Sequence, residues 1–194
     1  MSIKAIIFDY YDVLLLGGLK GFLADNKVDF NSPGITATND LLDSNKITLG
    51  EYWQRYSKVV GLPAEDLIAA NVRELNAPLL SFIKQKLAGR YKLAIVSNVH
   101  EEAAITGRLS REELAVFEYI GMSFRTGFQK PDQRAYLDAA DRLGVKPAEC
   151  VFVDDRPQYC AGAESVGMKA VLYTDLEKLK KQLEDLSISN SEAK

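Results

Sequence analysis

Four short segments place acidic, hydroxyl, amide or ammonium groups at or near the ends of apolar runs. They are Phe8-Asp9-Tyr10-Tyr11-Asp12-Val13, Ala94-Ile95-Val96-Ser97-Asn98, Gln129-Lys130-Pro131-Asp132 and Val151-Phe152-Val153-Asp154-Asp155. If the apolar runs are strands of one open sheet, Asp9 points into the crevice beyond their carboxyl ends, where such sheets bind ligands. Ser97, Asn98 and the backbone amides after them are donors suited to phosphate oxygens. Lys130 can neutralise charge on a nucleophile and on a phosphoryl group in transit. The adjacent carboxylates Asp154 and Asp155 repel each other unless a cation compensates, and magnesium is the natural one, because it takes hard oxygen ligands. Taken singly, each segment has a plainer reading. Asp9 could cap a turn, Ser97 could cap a helix, Lys130 could be one solvated lysine among many, and Asp155 could cap the helix after Pro157.

These groups act together only if a scaffold gathers them. Ile3 to Phe8, Lys92 to Val96, Cys150 to Val153 and Ala170 to Tyr173 read as strands, and the first is the apolar, β-branched type buried on both sheet faces. Pro131 to Leu143, Tyr159 to Val166 and Leu176 to Leu186 carry apolar residues at helical spacing. Alternating strands and helices predict an α/β fold, a Rossmann-like parallel sheet with helices on both faces. Between Leu15 and Leu87 strand signals vanish. Thr48 with Glu51 forms a capping-box pattern ahead of a helix running to Val60, and Pro63 and Pro78 suit the first turns of two more. A structureless connection of that length is improbable in a compact domain, so a small inserted helical cap is expected over 15–87. The Rossmann-like core then comprises 1–14 and 88–186, and 187–194 is expected to fray.

Composition narrows the partners. A hydrophobic fraction of 47% and a charged fraction of 26% are those of an ordinary globular protein. A net charge of -3 with dispersed Lys and Arg lacks the concentrated positive field that nucleic acid demands. Asp9 and Asp12 interrupt the first apolar run, so neither a signal peptide nor a membrane span is expected there, and the cytoplasm is the expected location. Cys150 and Cys160, ten positions apart with no His nearby, read as two buried, reduced thiols.

The order of the four segments resembles the haloacid dehalogenase-like superfamily along the whole chain. The resemblance extends to Gly144-Val145-Lys146-Pro147 and to Ala161-Gly162-Ala163 before Gly167-Met168, and the helical insert matches that family's small-cap class. It implies a magnesium-dependent phosphatase in which Asp9 attacks phosphorus of a small phosphorylated metabolite to form an aspartyl-phosphate that water hydrolyses. It further implies that Mg2+ is held by Asp9, the main-chain carbonyl of Tyr11 and Asp155, with Asp154 supporting directly or through water. Ser97 and Asn98 would hold phosphate oxygens, and Lys130 would link Asp9 to the acidic pair.

One position departs from the family. Its phosphatases usually carry a second Asp, the general acid and base, where this chain has Tyr11, and that help is worth about 10²- to 10⁴-fold. Three explanations follow. Tyrosine there resembles the metal-independent 2-haloacid dehalogenases, which lack the acidic pair. A sugar-phosphate phosphatase subgroup with an atypical first motif also lacks the second Asp and suits the length, the small cap and the Ser-Asn motif best. The third is a non-catalytic protein that binds a phosphorylated ligand or a partner. Asp12 suits a left-handed backbone position, and a bolder reading makes it a displaced acid or base.

Other residues stand at the margin. Tyr52, Trp53 and Tyr56 read as the cap's own core, and His100 as a solvent-facing first-turn residue. Arg125 and Arg156 lie near the third and fourth segments, within reach of a phosphate.

Overall fold

The computed structural model describes residues 2–188, and side chains as far as 186. Its five-stranded sheet runs β5 (Tyr119–Met122), β4 (Lys92–Ser97), β1 (Ala5–Phe8), β6 (Cys150–Asp154), β7 (Lys169–Leu172), all parallel. The central position of β1 explains its unbroken apolar run. Ile6 and Phe8 join one core cluster with Ile95 and Val153, while Ala5 and Ile7 join the other with Ala94 and Phe152. Register is fixed by pairing Ile7 with Ala94 on one side and with Phe152 on the other. The three expected helices are present as α9 (Gln133–Arg142), α10 (Pro157–Ser165) and α11 (Leu176–Ile188). This half also holds three single α-helical turns, α6 (Ala103–Thr106), α7 (Arg111–Leu114) and α8 (Ser123–Thr126). The fold is the α/β, Rossmann-like arrangement the sequence predicts. The expected fraying of 187–194 lies almost wholly outside the described residues.

The stretch after β1 forms an antiparallel ribbon, β2 (Leu15–Gly17) with β3 (Arg73–Leu75), which carries four helices. These are α1 (Gly18–Asp25), α2 (Pro33–Asp43), α3 (Leu49–Val60) and α4 (Ala64–Ala70). The capping box starts α3 as its sequence requires. The Glu51 amide donates to Thr48 Oγ1 at 3.3 Å and the Thr48 amide to Glu51 Oε2 at 2.8 Å. Tyr52, Trp53 and Tyr56 pack with Leu19, Leu23, Ile35 and Leu67 into a core belonging to the insert alone. Packing separates the far end of 15–87 from that unit. Leu79, Leu80, Ile83 and Leu87, on α5 (Ala77–Phe82) and the π-helical turn after it, belong to the sheet's own cluster.

Asn76 ties the insert's exit to the sheet. Its amide nitrogen donates to the Val13 carbonyl at 2.9 Å and to the Tyr173 hydroxyl at 2.8 Å, and its Oδ1 accepts from the Leu79 amide at 3.3 Å. Cys150 and Cys160 are buried and unbridged, and burial raises their thiols to about 11 and about 12. No described helix is long and apolar enough to cross a membrane. Removing Asn76 strands buried partners, each costing about 1–3 kcal/mol. Asn76→Ala is therefore expected to lower unfolding stability by about 2–4 kcal/mol, measured by urea denaturation; a change below about 0.5 kcal/mol would show that these bonds do not hold the junction.

Candidate active site

Strands β4, β1 and β6 end on one side of the sheet, where β1 lies between neighbours reached by separate crossovers. That arrangement opens a crevice at the carboxyl ends of the strands. Asp9 follows β1, Ser97 and Asn98 close β4, and Asp154 and Asp155 close β6. The chain delivers Lys130 to the same place from the loop before α9. Lys130 Nζ lies 2.8 Å from Asp9 Oδ1 and 2.7 Å from Asp154 Oδ2, and all three residues are buried. Burial alone would push the lysine pKa down, but the two carboxylates outweigh it, the net shift is upward, and the ammonium keeps its charge. The rings of Tyr159 and Phe152 lie 4.9 and 5.3 Å from that nitrogen.

The second oxygen of Asp154, Oδ1, accepts the Arg156 amide at 2.9 Å, so both its oxygens have partners. Desolvation and then the Asp9 charge raise its carboxyl, against the pull of Lys130. Asp155 is nearly buried, and its Oδ2 accepts Lys20 Nζ of α1 at 3.0 Å. One carboxylate oxygen from each of Asp9, Asp154 and Asp155 lies within 4.8 Å of the others. Hard oxygen donors at that spacing fit a divalent cation such as Mg2+.

Asn98 plays a different part from Ser97. Its side chain closes a two-way bond with the Lys130 peptide, donating to the Lys130 carbonyl at 3.0 Å and accepting the Lys130 amide at 2.9 Å. It thereby fixes the backbone that aims the ammonium, leaving main-chain groups for any ligand. Ser97 Oγ is buried with no hydrogen-bond partner, although it lines the crevice with Asp9 and Lys130. A buried hydroxyl is rarely left unsatisfied without a functional reason.

Tyr11 lines the crevice as well, its ring stacked under the Arg73 guanidinium at 4.4 Å, and burial raises its phenol. Asp12 has the left-handed backbone expected of it, with φ 59°. Its Oδ1 accepts the Gly17 amide at 3.1 Å and faces Arg73 at 4.0 Å, so it braces the turn into β2. At Gly17 a Cβ would stand 3.1 Å from both Asp12 Oδ1 and the Arg73 guanidinium, which explains glycine there. His100 is partly exposed and pairs loosely with Glu101, and Arg125 pairs with Glu102 in solvent away from Asp9. Arg156, in contrast, lines the crevice.

The crevice over Asp9 encloses about 40 Å³ and adjoins a cavity of about 140 Å³ under the insert. Tyr11, Asp12, Asp43 and Arg156 border both. Phe30, Leu42, Tyr52 and Trp53 give the larger space an apolar wall, with Asn39, Arg73 and His100 as its polar points. A larger groove, about 680 Å³, lies between α5 and α11; of the four segments it touches only the apolar Val151, and none of their polar residues. Sequence reasoning missed Lys20, Asp43 and Arg73, because the insert brings them in from elements remote along the chain. Asp43 alone left a trace: α2 ends on acidic residues with no basic residue in its last turn, against the preference of a helix C-terminus for cations.

Known proteins resemble this chain in sequence and in fold. The chloroplast flavin mononucleotide hydrolase 1 of Arabidopsis thaliana is 35% identical over 83 residues, 41% of this chain but only 34% of that protein. A sesquiterpene phosphatase of Aspergillus oryzae is 25% identical over 183 residues, covering 90% of this chain and 91% of its own length. A HAD family enzyme from Bacteroides thetaiotaomicron, solved with magnesium and inorganic phosphate, shares the fold with a TM-score of 0.60 at 18% identity, over 92% of this chain and 99% of that one. The family model for haloacid dehalogenase-like hydrolases matches residues 3–167, from the strand before Asp9 to beyond the acidic pair. This chain therefore belongs to the haloacid dehalogenase-like hydrolases.

Proposed function

We propose that the protein is a magnesium-dependent phosphatase of a small phosphorylated metabolite, with Asp9 as the nucleophile. The observation that carries this reading is the unpartnered Ser97 hydroxyl, buried in the crevice that Asp9 and Lys130 line. A phosphoryl group beside Asp9 would give that hydroxyl its missing partner and offer Lys130 a third anion. Asp9, Asp155 and the main-chain carbonyl of Tyr11 would hold Mg2+, with Asp154 supporting from behind through Lys130. When bound, the ion would offset charge on the phosphoryl group and orient it. Asp9 would then attack phosphorus, and water would release the phosphate from the aspartyl ester. Main-chain amides near Asn98 would complete the phosphate cradle.

The insert would serve as the cap, its Phe30, Tyr52 and Trp53 covering the organic part of the substrate. That wall favours a compact monoester with an apolar or aromatic portion. The buried, unbridged cysteines suit a reducing compartment, and we assign the cytoplasm. Tyr11 favours a second reading, attack of Asp9 on carbon in a 2-haloacid. Against it stands the gathered acidic trio, a costly arrangement for an enzyme that uses no metal.

Phosphate release from p-nitrophenyl phosphate is expected to need magnesium, to stop in EDTA, and to fall to background in Asp9→Asn. Chloride release from 2-chloropropionate that survives EDTA, with no phosphate release, would establish the second reading instead. Lys130→Met leaves two carboxylates facing each other without their cation. It is expected to destabilise the metal-free protein by about 3–5 kcal/mol in urea titration, and a loss under about 1 kcal/mol would deny Lys130 its structural part.

A further inference from the structure

We propose that Asp43, on the last turn of α2, is the general acid and base of this reaction, reaching the leaving oxygen from the insert rather than from the strand that carries Asp9. The proposal rests on the phosphatase reading. An alkoxide leaves phosphorus slowly unless a proton reaches it, and Asp9, as nucleophile, has none to give. The donor must border both the crevice, where the bond breaks, and the cavity that holds the leaving group. Among described residues, the only ones that border both are Tyr11, Asp12, Asp43 and Arg156.

Three of these four are unsuited. Arg156 does not give up a proton at physiological pH. Burial makes the Tyr11 phenol a still weaker acid. The Asp12 carboxylate is engaged by the Gly17 amide and Arg73. Asp43 differs: its carboxyl has no hydrogen bond and no ion pair with any described residue. Desolvation raises it to about 7; Arg156 and Lys130 oppose the rise, and Asp40 and Asp9 add to it. The phenols of Tyr11, Tyr52 and Tyr159 also feel its charge. The carbonyl end of α2, with no basic residue in its last turn, further disfavours the anion. A carboxyl poised near neutrality can act in both directions.

In the first step an Asp9 oxygen bonds to phosphorus, the bond from phosphorus to the ester oxygen breaks, and that oxygen takes the Asp43 proton. In the second, Asp43 carboxylate takes a proton from water as the water oxygen bonds to phosphorus. The bond to Asp9 breaks, inorganic phosphate leaves, and both aspartates return to their starting states.

The test compares the magnesium-loaded wild type, Asp43→Asn and Asp43→Glu on two esters. Benzyl phosphate leaves as an alkoxide and needs the proton, whereas p-nitrophenyl phosphate leaves as a stable phenolate. In Asp43→Asn, benzyl phosphate turnover is expected to fall about 10²-fold or more. The first turnover of p-nitrophenyl phosphate should stay near the wild-type rate as a stoichiometric burst, followed by slow hydrolysis of the aspartyl ester. The wild-type rate on benzyl phosphate should decline as pH rises and Asp43 loses its proton, and this limb should be missing from Asp43→Asn. Asp43→Glu, which keeps the carboxyl, should recover part of the benzyl phosphate activity. Full benzyl phosphate turnover in Asp43→Asn, or equal loss on both esters together with the burst, would overturn the proposal while leaving Asp9 as nucleophile. Absence of Asp9-dependent release from either ester in the wild type would overturn the phosphatase reading and this inference with it.

Discussion

Everything in the crevice is arranged around one buried ammonium. Lys130 carries its charge to the floor of the site, where Asp9 and Asp154 keep that placement from being prohibitively unfavourable. The dependence is mutual. Two carboxylates as close as Asp9 and Asp154 repel each other without a cation between them, and the end of β6 is held to the end of β1 by that charge as well as by strand pairing. Asn98 closes the arrangement from β4 by fixing the Lys130 peptide, so three strands and a loop converge on one nitrogen. The ammonium also holds the Asp9 carboxylate in one orientation, as the proposed nucleophilic role requires.

This convergence explains why so much of the site was legible in sequence. Strands buried on both faces announce themselves as unbroken apolar runs, and a polar residue closing such a run lies at the sheet's carboxyl edge whatever the crossovers do. Asp9, Ser97, Asn98, Asp154 and Asp155 were readable on that ground. Lys130 was readable only in company, since a lysine before a proline carries no local sign of burial. The roles of the two adjacent residues, Ser97 and Asn98, were not separable beforehand. Which side chain turns to a ligand and which to the Lys130 peptide depends on where the loop before α9 passes, and that is set by tertiary packing.

What the sequence hid has a common cause. The edge strand β5 is short and contains Gly121, and β2 and β3 have three residues each, too few for periodicity to register. The residues that the insert contributes to the site, Lys20, Asp43 and Arg73, sit on elements whose patterns describe the insert's own core. The apolar spacing of α3 identifies Tyr52, Trp53 and Tyr56 as core, which they are, but says nothing of the cavity that Tyr52 and Trp53 also line. The boundary at 87 was hidden for the same reason. A helix that packs on the sheet and a helix that packs in the insert have the same period, and only the contacts of Leu79, Leu80 and Ile83 tell them apart.

The ribbon of β2 and β3 makes the insert a module as far as the sheet half is concerned. Because the chain leaves and re-enters the sheet half side by side, the more than fifty residues between behave toward that half as a short hairpin loop, whatever their number. Closing such a loop costs little more for a long insertion than for a brief one. Helices can therefore be lengthened, shortened or replaced there with the register of β1, β4 and β6 left intact. One set of strand ends can thus be kept through descent while the tissue above it is exchanged, and new chemistry at the rim needs no redesign of the floor.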